Sequence, residues 1–241
     1  MCSALGCAPQ LPLGSDLLWT ADTETADLAQ WTGGAEELVL LPSSETRVEV
    51  TSELSRSGRH AVELINPGGS NEEAGPELLH PAGAEPDAYY SAWLLLPEDY
   101  RVEPDLTLVH LRSRDDAGEL RNGEQLRLRS LPSGGFVLFV FHNNASFLQE
   151  PLADPPPIVQ AGRWFHVETR YQPRDGGRLM VWLDGQLYYD LSGRPGSGGR
   201  EVVLSVGTAL EQTEPSPLRL LVDDAAISVS RVTPAGHLAL D

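Results

Sequence analysis

What most constrains this chain is its punctuation. Turn-forming clusters recur every 8–15 residues, and the runs between them alternate polar with apolar side chains instead of repeating every three to four. The alternating runs fall at 46–51, 60–66, 88–96, 105–114, 125–131, 136–142, 164–171, 179–183, 201–206 and 218–228. Their separators suit chain reversal: Pro67-Gly68-Gly69, Pro132-Ser133-Gly134-Gly135, Asp175-Gly176-Gly177 and Asp184-Gly185. Asp184-Gly185, between 179–183 and 187–189, predicts a two-residue hairpin because both residues tolerate positive φ. Only 26–30 and 210–212 suggest helical turns.

No internal tether divides these strands. Pro155-Pro156-Pro157 is too short to be one, the Gly- and Ser-rich stretch 194–200 reads as a surface loop, and no repeat is visible. Ten or more antiparallel strands in one unit predict an all-β chain, a two-sheet antiparallel β-sandwich of jelly-roll type over 17–241. Residues 1–16 read as an N-terminal tail.

Charge narrows the partners. The formal net charge is −18, and all 17 basic residues are arginine. Such a field repels phosphate backbones, which argues against nucleic acid as a partner. No apolar run approaches the roughly 18 residues of a transmembrane helix. The two cysteines, Cys2 and Cys7, lie too far from any core to staple it. They are either part of an unstructured remnant or, at Ala4-Leu5-Gly6-Cys7, a degenerate bacterial lipobox that would carry a lipid anchor.

A series of motifs then appears in order: Trp19-Thr20-Ala21-Asp22-Thr23-Glu24 with Trp31 following, Gly58-Arg59-His60-Ala61-Val62-Glu63-Leu64, and Tyr89-Tyr90-Ser91-Ala92-Trp93. Gly162-Arg163-Trp164 and Leu221-Val222-Asp223-Asp224 complete it. Together they resemble the concanavalin A-like jelly-roll superfamily, and within it the heparin-lyase-like and glucuronan-lyase-like polysaccharide lyases. The resemblance implies β-elimination of a uronic-acid polysaccharide: a base takes the C5 proton, an acid protonates the leaving oxygen, and a cation or amide neutralises the carboxylate. It also implies an Arg-x-Glu-Leu run, a Gln-x-His pair and a tyrosine on the hollow sheet. This chain reads Gly75-Pro76-Glu77-Leu78 and Leu108-Val109-His110 in those places, so the arginine and the glutamine are absent. The catalytic candidates that remain are His110, His166, Tyr89 and Tyr189.

Alternation also gathers a polar face. His110, Arg112 and Arg114 share one side of their strand, and Gln125, Arg127 and Arg129 share one side of the next. Arginine forks suit carboxylate or sulfate, but residues 101–131 hold six arginines and six acids, so the face is either a glycan cleft or a solvated, ion-paired surface. His142 and Asn143 would add amide and imidazole groups at a strand end, either toward sugar hydroxyls or as a turn lip. Trp93, Trp164 and Trp182 are sugar platforms or packing residues. His166, Glu168 and Arg170 share a strand side that reads as scaffold.

Asp22 and Glu24 near the start, with Asp223 or Asp224 near the end, offer hard oxygen ligands for a structural Ca²⁺ clamping the terminal strands. No cofactor is otherwise required, and zinc, nucleotide and serine-hydrolase motifs are missing. The sequence therefore predicts a secreted, periplasmic or outer-membrane-associated bacterial protein that binds a polysaccharide or cell-surface glycan without catalysis. An active uronate lyase and a structural surface domain are the alternatives.

Overall fold

The computed structural model describes residues 16–32, 39–40, 46–67, 75–82, 87–100, 105–142, 151–152, 154–194, 196, 201–209 and 217–234. In chain order the elements are β1 (Leu17–Ala21), α1 (Ala29–Thr32), β2 (Val39–Leu40), β3 (Arg47–Thr51), β4 (Ala61–Asn66), β5 (Glu77–Pro81) and β6 (Ala88–Leu95). There follow β7 (Asp105–Arg114), β8 (Leu120–Ser130), β9 (Phe136–His142), β10 (Phe165–Tyr171), β11 (Gly177–Leu183), β12 (Gln186–Arg194), β13 (Glu201–Ala209) and β14 (Leu218–Ser228). They form an eight-stranded sheet, β12-β11-β10-β6-β14-β4-β3 with β1 also on β14, and a six-stranded sheet, β2-β5-β13-β7-β8-β9. Every pairing is antiparallel, giving the all-β jelly-roll sandwich. None of the helices among the described residues is long and apolar enough to cross a membrane.

Alternation builds the core. Tyr90, Leu94, Val167, Val181, Leu220 and Ile227 of the larger sheet and Leu106, Leu126, Leu138, Val140 and Leu204 of the smaller are all nearly inaccessible in one apolar cluster. Burial of such side chains contributes roughly 1.5–3 kcal/mol each before the entropy of ordering is subtracted. The Asp184-Gly185 reversal joins β11 to β12 with φ of 49° and 82°, the two positive angles that a twisted hairpin needs.

Three departures from the sequence reading have physical causes. Strand β5 is bracketed by Pro76 and Pro81, which masks it as a loop. Strand β8 begins at Leu120, not Gln125, because Gly123 lets the backbones close up: a Cβ there would lie 2.1 Å from the Leu111 carbonyl oxygen. Arg194, expected in a surface loop, ends β12 and is buried, its guanidinium donating to Glu124 of the opposite sheet at 2.8 and 2.7 Å. The expected helical turn at 210–212 lies outside the described residues, as do Cys2, Cys7 and Asn143.

Candidate functional site

The outer face of the six-stranded sheet collects the two polar rows. Register places Leu79, Ser205, His110, Gln125 and Phe141 in one line across the sheet. Thr107, Arg127 and Phe139 form a second line, and Asp105, Arg129 and Val137 a third. Arg112 lies beside Val203, and Arg114 beside Glu201. A register shift between Thr107 and Val109 absorbs Leu108, so Thr107 and His110 share a side although three residues apart. That bulge is why Thr107 escaped the alternation pattern. Phe139 and Phe141 lie opposite the core residues Leu138 and Val140 on β9, a signal that alternation did contain.

Several of these outward side chains are sheltered: Glu77, Thr107, His110, Ser205 and Phe139 are all buried. These side chains are shielded by the arginines and strands around them instead of standing in open solvent. Arg112 Nη2 donates to both Glu77 oxygens at 2.9 Å, and Ser205 Oγ donates to Glu77 Oε2 at 2.5 Å. Arg129 forks onto Asp105 with two bonds of 2.8 Å. Arg127 Nε donates to Gln125 Oε1 at 2.7 Å, and Thr107 Oγ1 reaches the same oxygen at 3.4 Å. The Arg127 guanidinium lies 3.8 Å over the Phe141 ring, and Arg129 lies 4.7 Å over Phe139. Arg114 donates to the Gly118 carbonyl and pairs with Glu201 at 3.5 Å.

His110 sits among these groups as a neutral ring. Its Nε2 accepts the Gly123 amide at 3.3 Å, and burial holds its pKa well below the usual imidazole range, with Arg112 and Arg127 adding repulsion. A base needs an open lone pair and an acid partner. None of the six tyrosines belongs to a strand of this sheet.

The other candidates lie elsewhere. Tyr189 is in the core, its hydroxyl donating to the Leu138 carbonyl at 2.9 Å. Tyr89 is on the outer face of the larger sheet, 5.9 Å from Trp182 and 5.5 Å below Arg170. His166 shares that face, packed 5.2 Å from Trp93, and burial with repulsion from Arg231 and Arg56 pushes its pKa down to about 3. His142 turns toward the sandwich interior, its Nδ1 lying 3.2 Å from Glu124 Oε1. The structure thus gathers His110, Arg112, Arg114, Gln125, Arg127 and Arg129, and separates them from His142, His166, Tyr89 and Tyr189.

Three of the four acids proposed for calcium bond one loop, beside the point where β14 exchanges β4 for β1 as its neighbour. Asp223 Oδ2 accepts the amides of Arg56 and Ser57 at 2.9 and 3.1 Å, and Asp224 Oδ1 accepts Ser57 Oγ at 3.0 Å. Glu24 Oε1 accepts the Arg59 and His60 amides, while Asp22 Oδ1 accepts the Glu24 amide and Gln30 Nε2. Burial raises the Asp224 pKa, and the charges of Asp22 and Glu24 raise it further. Burial and the Asp224 charge push Asp223 up to about 7. A cation would relieve this crowding, yet no three His, Cys, Asp or Glu side chains among the described residues converge on one point. Side chains alone do not form a cage there, and oxygens from the backbone would have to complete one.

No protein-family model and no curated protein sequence matches the chain. Solved structures do. An endo-β-1,4-glucuronan lyase from the fungus Trichoderma reesei superposes with a TM-score of 0.62 at 14% identity, covering 86% of this chain and 96% of that one. The cellulose-induced protein Cip1 gives 0.61 at 17%, covering 89% and 98%. The alginate lyase vAL-1 from a Chlorella virus gives 0.55 at 14%, covering 89% and 100%. At these identities the likeness concerns the backbone. The chain shares the jelly-roll sandwich fold of glucuronan lyase and the alginate lyases.

Proposed function

We propose that this protein is a polysaccharide-binding domain that works without catalysis, using the outer face of its six-stranded sheet. The observation that carries the reading is His110. It lies on the face where elimination chemistry would be expected, but its Nε2 is taken up by the Gly123 amide and the sheet strands hold no tyrosine. The jelly-roll neighbours, two of them lyases of acidic polysaccharides by name, support a glycan as the partner and a location outside the cytoplasm. A lipid anchor at Cys7 belongs to the same reading.

Incubation with alginate, glucuronan, heparin and chondroitin tests it through the ultraviolet absorbance of an unsaturated uronic product. Pull-down on insoluble polysaccharide is expected with no rise in absorbance. The rival reading, an active lyase, draws support from Arg112 and Gln125 lying near His110 on one face. A sustained rise that disappears in His110→Ala would establish that rival.

A calcium clamp at Asp22, Glu24, Asp223 and Asp224 belongs to the proposal as a structural element with no part in binding. It predicts a higher Tm on adding Ca²⁺, reversed by a chelator. An unchanged Tm removes the ion.

A further inference from the structure

We infer that the polysaccharide held by this face is uncharged, not a polyuronate. The inference rests on the reading of the face as a glycan groove, and it concerns which class of sugar the groove accepts. Arginines on a sheet look like a carboxylate-binding row, but these are already engaged. Arg112 is held by Glu77, Arg129 is forked onto Asp105, and Arg114 is paired with Glu201. Three carboxylates thus offset three of the four arginines, and the fourth, Arg127, is hydrogen-bonded to Gln125 and stacked on Phe141.

A uronate arriving at such a face meets arginines that already have partners. To take Arg112 it would have to displace Glu77, whose side chain is 5% exposed, leaving a buried carboxylate without its cation. To take Arg129 it would compete with an intramolecular partner that is always present at high effective concentration. The His110 ring is neutral and adds no positive charge. Beyond the groove, the charge of −18 repels a polyanion before contact.

What remains suits a neutral sugar. The Arg127–Phe141 and Arg129–Phe139 stacks are flat tiles of guanidinium on phenyl, side by side along neighbouring strands. Flat tiles match the C–H face of a pyranose or furanose ring. The Gln125 amide and the Thr107 hydroxyl supply hydrogen bonds that discriminate hydroxyl patterns without charge.

The test uses the full chain in affinity electrophoresis against hydroxyethyl cellulose, arabinoxylan and arabinan, and separately against alginate and polyglucuronate. Each gel is run at about 20 mM and about 500 mM salt, either side of strong screening. Retardation by at least one neutral polymer, changing less than about twofold between the two salts, is expected. Binding confined to the uronates, falling about tenfold at high salt, keeps the groove and overturns the inference. Binding to neither class overturns the groove itself.

Asp105→Asn sharpens the result, because it releases the Arg129 fork without changing shape. It should confer alginate retardation that the parent lacks. Glu201→Gln, which releases Arg114 at the other end of β7, is the second variant. Retardation gained by neither variant refutes internal pairing as the cause of the preference.

Discussion

The two sheets turn outward faces to their surroundings, and both faces bury polar side chains, but the partners differ in kind. On the eight-stranded sheet, Glu168 accepts from Arg231 at 2.9 Å and from the Val232 amide at 2.6 Å, and Asp223 accepts the amides of Arg56 and Ser57. Arg231 and Arg56 each lie 4.3 Å over a tryptophan, Trp182 and Trp93. That face is covered by its own chain. On the six-stranded sheet these polar contacts stay within the sheet itself: Glu77 to Ser205 on the next strand and to Arg112 one strand further, Asp105 to Arg129 and Thr107 to Gln125 across one pair, and Arg127 to Gln125 along one strand. Carboxylates that bond a crossing segment hold that segment over their face, whereas carboxylates that bond within the sheet neutralise the arginines beside them and recruit no cover.

The contrast breaks first at Glu168. Glu168→Ala strands the Arg231 guanidinium and the Val232 amide, and should cost about 3–5 kcal/mol, read from urea unfolding. Its glycan retardation, measured while folded, should match the parent. A loss below about 1 kcal/mol would show that the crossing segment does not hold that face.

A pH profile comes next. The folded His166 imidazole takes up its proton far less readily than the free residue, whose pKa is 6.5, so its contribution is whole above pH 6.5 and is lost as pH falls toward about 3. Asp223, pushed up to about 7, works in the opposite sense: its folded form holds a proton that the unfolded chain releases, so stability from it is lost as pH rises from 3.8 to about 7. The stability difference between the parent and His166→Gln separates the two, and it should shift against the parent as pH drops below 6.5. A difference independent of pH would mean that the ring is not sealed in.

Gln125→Ala probes the opposite face. It removes the acceptor of Arg127 Nε, so stability should fall by only about 1 kcal/mol while neutral-glycan retardation drops several-fold. Unaltered retardation would move the ligand off these strands. The smallest effect belongs to Arg170→Ala, which breaks the Asp87 pair on the eight-stranded sheet. With 34% of the arginine and 41% of the aspartate side chain in solvent, it should change stability by about 0–1 kcal/mol.

Much of this architecture was legible from alternation and turns. The strands 105–114, 136–142 and 218–228 stand at the predicted bounds, and both polar rows share the predicted face. What pattern reading cannot supply is the partner across a long loop. Nothing in Gly75-Pro76-Glu77-Leu78 points to Arg112, 35 residues on, as the partner of Glu77. Arg194 looked like loop because its Glu124 partner lies 70 residues away on the other sheet. Glu168 and Arg231 likewise lie 63 residues apart, and only the sandwich brings them together.

Strand β14 touches β6 along one edge and β4, then β1, along the other, so it is the seam between two otherwise separate groups of strands. During synthesis the ribosome must pass residue 228 before that seam can be sewn. Until then, the half-built sheets expose ladders of unbonded amides and carbonyls that invite a wrong neighbour. A chain cut before residue 218 therefore leaves both groups of strands without their common neighbour, and the larger sheet cannot close.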